Sequence, residues 1–320
     1  MFKRPIGEIF LSELVLPVVC AGPPHLAYRA LEILGHARSS LAWRTRCATE
    51  RRVDAALGPL DPGILREVTR RLFVTQLVMQ AAELPLVRAS DASLARLVDV
   101  EGLQHLEEAR AAGRGTILLS SHVGFSLLGC YVLRRRGYPV VRTGVSPGDG
   151  RVLQRMQRQA TAQLARVWGR STDDILYEAA ASAPLSLKRM HSALAGNQIL
   201  FLAGDGLMGS RGATASLLGK PVDFPTGWVS LARLTGASVI PTFVTRDPRS
   251  TTFQIRLSPR LSRALVDGDD AAAVEAYARQ LDAHVRRHPC HAVTLFLRRP
   301  SIGTLAPSWD AAFPMAVAPE

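Results

Sequence analysis

The sequence predicts an α/β fold: an open, largely parallel sheet flanked by helices, with a helical N-terminal extension. Three features of the chain point there. Apolar runs at Thr116–Ser120, Gln198–Ala203 and Ser238–Val244 have the length of buried strands. Helix-length segments separate them, and parallel strands need such crossovers. A chain of 320 residues, 47% hydrophobic and 21% charged, can bury a sizeable core, which excludes a disordered tail and a disulfide-stapled mini-domain. Residues 1–100 read as the helical extension packed on the core, 101–300 as the α/β core and 301–320 as a C-terminal tail.

Asp61-Pro62 starts a helix, a capping side chain followed by a ring that pre-sets φ. Ile64, Val68, Leu72, Leu77 and Met79 then keep helical spacing up to Pro85. The next helix runs from about Glu101 to Gly113, with Leu103 and Leu106 on one side and Glu107, Glu108 and Arg110 on the other. After the strand Thr116–Ser120 a helix reaches Gly137, and Tyr138–Arg142 is again a strand. A polar helix over about Arg151–Trp168, a helix ending near Gly196 and the strand Gln198–Ala203 continue the alternation. Gly212, Gly219 and Pro221 mark the dozen residues after Gly209 as loop. Gly227–Thr235 is a short helix, Ser238–Val244 and Phe253–Leu257 are strands, and Asp270–His288 is the closing helix.

Thirty-nine basic and 27 acidic residues leave a net charge of +12, which favours anionic partners: phosphate groups, lipid surfaces, an acidic carrier protein or nucleic acid. Lys3, Lys188 and Lys220 are the lysines, so the surplus is arginine, whose planar fork suits phosphate. An alanine- and arginine-rich composition also follows from a G+C-rich coding sequence. Aromatic residues are 6%, and the chain has neither a recognition-helix pattern nor an aromatic platform, so no nucleic-acid partner is expected. Cys20, Cys47, Cys130 and Cys290 are too far apart for a C-x-x-C pair; neither a metal site nor a disulfide framework is expected, and a reducing compartment is. The uncharged run Gly115–Leu133 is split by Ser120, Ser121, His122 and Gly124 into a strand and a helix, and is not a membrane span. Contact with a membrane would be peripheral, through basic residues and the apolar N-terminal segment.

His122 stands where a buried strand ends and a helix begins, and the carboxyl ends of strands line the ligand crevice of open α/β sheets. A neutral imidazole there is either a general base or a turn-capping histidine. Gly124-Phe-Ser126-Leu-Leu-Gly129 nearly mimics a nucleophile elbow, but its second glycine is one place late. Serine hydrolysis through Ser126 is therefore a lesser alternative. Gly204-Asp-Gly206-Leu-Met-Gly209 matches a dinucleotide fingerprint in letters, yet loop residues follow where a helix must open, so no nicotinamide or flavin site is expected. Asp205 within it is an active-site group or a turn residue. Arg142, at the end of its strand, is a phosphate-binding candidate or an ordinary surface arginine.

These residues resemble a family. Val100–Gly124, which reads VEGLQHLEEARAAGRGTILLSSHVG, is similar to the approach to the active-site histidine in the lysophospholipid acyltransferase superfamily. The closer likeness is to the bacterial lipid A late (lauroyl/myristoyl-type) acyltransferase branch. Val141-Arg142, Leu194–Asp205, Leu218-Gly219-Lys220-Pro221, Thr226-Gly227, Leu231–Pro241 and Arg246 resemble that branch's later blocks, in order and approximate spacing, over about residues 65–300. The resemblance implies transfer of a fatty acyl group from an acyl-carrier-protein or coenzyme A thioester, as cosubstrate and with no bound cofactor. The acceptor would be a hydroxyl (or amine) of a lipid, glycolipid or small specialised metabolite. It also implies a cytoplasmic protein peripheral to the inner face of the cytoplasmic membrane. His122 would be the base and Asp205 would organise the site, while Gly124, Ser126, Arg142, Gly219, Lys220 and Arg246 would bind substrate. In the family an acid five residues after the histidine orients it, and here that position is Leu127. Another carboxylate such as Asp205 or Asp149 replaces it, or the base works alone, or the protein binds lipid or carrier without catalysis.

Overall fold

The computed structural model describes residues 10–87, 89–145, 175–177, 183–205, 212–247, 250–297 and 307–314. The helices before the first strand are α1 (Leu16–Cys20), α2 (Pro24–Leu41), α3 (Trp43–Leu57), α4 (Pro62–Met79) and α5 (Asp91–Leu97). Next come β1 (Val98–Glu101), α6 (Leu103–Ala111), β2 (Thr116–Ser120), α7 (Ser126–Arg135), β3 (Val140–Val145) and β4 (Ile175–Tyr177). The chain continues through α8 (Ala183–Ala195), β5 (Ile199–Ala203), β6 (Gly212–Leu217), β7 (Lys220–Pro225), α9 (Gly227–Thr235) and β8 (Ser238–Arg246). It closes with β9 (Phe253–Leu257), α10 (Arg263–Asp267), α11 (Asp270–Arg287), α12 (Val293–Phe296) and α13 (Pro307–Ala312). The expected helix over Arg151–Trp168, and Asp149, lie outside the described residues.

Among the described residues, one seven-stranded sheet has the order β1-β9-β8-β2-β5-β3-β4. From β8 to β4 every neighbouring pair is parallel, as the expected α/β class requires. β9 turns back antiparallel on β8, and β1 runs parallel to β9. All five residues of β2 are buried, which suits a central strand covered on both faces. Alternation divides them between two cores: Ile117 and Leu119 pack with Tyr277 and Leu281 of α11, while Leu118 packs with Val74 and Val78 of α4.

The N-terminal helices are part of both cores. α4 starts as expected, with Asp61 Oδ1 accepting from the Gly63 and Ile64 amides at 2.8 and 3.2 Å. Gly35 of α2 backs onto it: a Cβ there would lie 2.6 Å from the Val74 Cα, so only glycine allows this approach.

Three expectations on the elements need correction. Val98–Glu101 is strand rather than helix, because β9 offers it a parallel edge. The residues taken as loop include an antiparallel hairpin of β6 and β7. Its two-residue turn, Leu218-Gly219, has φ of +52° and +76°, the twist that matches right-handed strands. Arg142 does not end its strand, since β3 continues to Val145, where β4 pairs with Thr143–Val145.

Candidate active site

The sheet register brings two sequence-distant residues together. In the parallel pair of β2 and β5, Ser120 lies opposite Ala203. His122 and Asp205 each follow two residues later, so they leave neighbouring strands at the same level of the carboxyl edge. Adjacent strands are about 4.8 Å apart, close enough for side chains at matched positions to touch. His122 Nδ1 lies 2.7 Å from Asp205 Oδ1, and the His122 amide donates to the other carboxylate oxygen, Oδ2. A carboxylate only accepts hydrogen bonds, so it fixes the proton on Nδ1 and leaves Nε2 with its lone pair. The Asp205 side chain is 3% exposed, whereas that of His122 is 37% exposed, so the carboxylate is sealed and the imidazole is partly open. Burial pulls the imidazole's pKa down, but the Asp205 charge and hydrogen bond outweigh it, and the net value is raised above 6.5. The strand ends beneath are tied as well. The Ser120 carbonyl accepts from the Tyr277 hydroxyl at 2.6 Å and the Gly204 amide at 2.8 Å.

After His122 the chain makes a tight turn into α7. Gly124 has φ of +79°, and a Cβ there would lie 2.2 Å from the Val244 carbonyl oxygen, so both backbone conformation and space demand glycine. The Gly124 amide donates to the His291 carbonyl at 3.1 Å, and the Phe125 amide to the Val244 carbonyl at 3.2 Å. Thr294 Oγ1 donates to the His122 carbonyl at 3.3 Å. Thr294 and His291 were not legible as site residues: no spacing links them to His122, and they reach it only because α11 returns the chain to the sheet's carboxyl edge.

The remaining sequence candidates separate. Ser126 is half-buried at the start of α7, and His122 Nδ1 is taken up by Asp205. Leu127, the position of the family's usual acid, is exposed on the same turn. Arg142 is half-buried and opposite Phe201 in the register, two rungs before Ala203. Gly219 serves the hairpin turn, with nothing within 4 Å of the Cβ it lacks. Lys220 Nζ donates to the Ala312 carbonyl at 2.7 Å and sits 5.3 Å from the centre of the Phe313 ring. The Arg246 guanidinium is 5% exposed, pairs with Glu32 of α2 at 2.9 Å and lies against the rings of Tyr28 and Phe253. The structure therefore joins His122 and Asp205 at one point and ties Arg246 and Lys220 to other elements.

Among the described residues, no group of three or more histidine, cysteine or acidic side chains is arranged to hold a metal ion. Nor, among them, is any helix long and apolar enough to cross a membrane.

The family model described as bacterial lipid A biosynthesis acyltransferase matches residues 10–299. Phosphatidylinositol mannoside acyltransferases from two Mycobacterium tuberculosis strains, ATCC 25618 / H37Rv and CDC 1551 / Oshkosh, are each 26% identical over 199 residues. The match covers 61% of this chain and 58% of each relative, so the chain spans less than two thirds of their length.

Proposed function

The chain belongs to the bacterial lipid A biosynthesis acyltransferase family, and from that premise we propose that it moves a fatty acyl group from an acyl-carrier-protein or coenzyme A thioester to a hydroxyl of a lipid or glycolipid. The observation that carries the proposal is the His122–Asp205 contact at 2.7 Å on the carboxyl edge of the parallel sheet. In the proposed step, His122 Nε2 takes the acceptor's hydroxyl proton as its oxygen attacks the thioester carbonyl. A C–O bond forms, the C–S bond breaks, and the imidazolium returns its proton to the departing thiolate. Asp205 keeps the ring in one tautomer and stabilises the transient cation, the role in which an orienting acid serves a histidine base. The Asp205 carboxylate, two residues past β5, thus stands in for the acid absent at position 127. Arg142 is assigned to an anionic group of a substrate. The relatives' names favour a glycolipid acceptor.

A lipid acceptor calls for access to a membrane, which we assign to the N-terminal helices on the inner face of the cytoplasmic membrane. Phe10, Leu14 and Val18, spaced by four, are exposed, as are Leu26 and Ile33 on α2. A net charge of +12 favours an anionic bilayer as the surface they meet.

The test is thiol release from a panel of acyl thioesters with a glycolipid acceptor, comparing wild type with His122→Ala. The expected loss is about 10²–10⁴-fold. Equal rates would end the assignment of the base, and lipid binding without turnover by wild type would replace catalysis with a binding role.

A further inference from the structure

We infer that the turn from Pro289 to Phe296 positions the catalytic histidine, and that the Thr294 hydroxyl is the group that holds His122 in line with Asp205. This rests on reading His122 as the base. The carbonyl of His122 and the amide of Gly124 flank Val123, and one turn takes both: Thr294 Oγ1 donates to the first at 3.3 Å, and the His291 carbonyl accepts from the second at 3.1 Å. The Phe125 ring adds an edge-on contact with the His291 imidazole, centroids 5.4 Å apart and planes at 72°. The turn is itself anchored. Val293, Leu295 and Phe296 are buried, and the Phe296 carbonyl accepts from Arg52 Nη1 of α3 at 3.0 Å. Thr294, half-buried among these fixed neighbours, therefore presents its hydroxyl from a rigid base.

The consequence is mechanical. His122 meets Asp205 through two groups, its ring Nδ1 and its backbone amide, so the ring distance depends on where the backbone is held. Nothing in α7 or β2 holds the His122 carbonyl; the Thr294 hydroxyl does. A displacement of about 1 Å in a catalytic group costs up to roughly 10² in rate. Thr294 has no need to touch substrate, so its effect falls on kcat and not on KM.

Thr294→Val keeps the shape and deletes the donor, and Thr294→Ser restores it. The readouts are steady-state acyl transfer and the titration of the His122 ring by NMR, with its signal assigned by His122→Ala. Asp205 is the charged group that acts on this ring, so a loosened contact moves its titration to lower pH. In Thr294→Val we expect kcat to fall about 10-fold with KM unchanged and the ring to titrate at lower pH. In Thr294→Ser both return. An unchanged titration in Thr294→Val overturns the inference, as does a loss that Ser does not restore. A shifted titration together with full activity of His122→Ala would keep the positioning role and remove the base, so the two failures are distinguishable.

Discussion

Gly124 shows how little room the site leaves. Its positive φ excludes most side chains at once, and a Cβ would sit 2.2 Å from the Val244 carbonyl, which is backbone and cannot swing away. Gly124→Ala is expected to destabilise the protein by about 1–3 kcal/mol and to lose activity, because the chain can relieve the clash only by moving the turn that carries His122. Thermal denaturation alongside acyl transfer checks this, and a variant that melts and turns over like wild type would contradict it. His122 and Asp205 were each legible at this scale, since each follows a buried apolar run of strand length. Their pairing was one of several options, because 83 residues separate them and only the strand register brings them level. Arg246 was named only through the family resemblance, as a substrate-binding candidate, and not as the partner of Glu32, 214 residues away.

At the scale of elements, that ion pair fastens α2 to the end of β8. Arg246 is buried and Glu32 half-buried; Nη1 makes the contact, while the other two guanidinium nitrogens, Nε and Nη2, have no hydrogen-bond partner. Removing the carboxylate would strand a buried charge, which costs about 3 kcal/mol, whereas an exposed pair contributes well under 1 kcal/mol. Glu32→Ala is therefore expected to lower the denaturation midpoint clearly. Asp91→Ala, which breaks the pair of Arg135 with an exposed carboxylate, makes the control and should change it little. Equal effects would contradict this account. The hairpin of β6 and β7 was the element least visible in the sequence. Its glycines and prolines look like loop punctuation, while the signal that mattered was alternation, with Ala215, Leu217, Val222 and Phe224 buried between more exposed neighbours. β1 was hidden for a different reason: Val-Asp-Val-Glu is too short to show a period, and its strand state comes from the partner it pairs with.

For the whole molecule, the class of fold was readable because parallel strands, buried on both faces, must be apolar throughout and must be separated by crossovers. The reversal of β9 and β1 at one edge was not readable, since direction leaves no mark on a short strand. That reversal shapes the candidate site. It sends α11 back toward the carboxyl edge of the sheet, where Tyr277 braces the end of β2 and the following turn reaches the backbone of His122 and Gly124. The central claim is that this frame holds an imidazole as a base whose affinity for protons is raised by Asp205. The sign of the coupling is fixed. The Asp205 contact stabilises the fold fully below the imidazole's ordinary pKa of 6.5 and loses that contribution as pH rises through the raised value, while the base becomes competent over the same rise. The most direct test is the pH dependence of acyl transfer in wild type and in Asp205→Asn. The account predicts a wild-type rate that climbs with pH to a plateau, with its midpoint above 6.5. In the variant the midpoint moves to lower pH and the plateau falls by about 10²–10⁴-fold. Superimposable profiles in the two proteins, or a rate indifferent to pH between about 5 and 9, would contradict it.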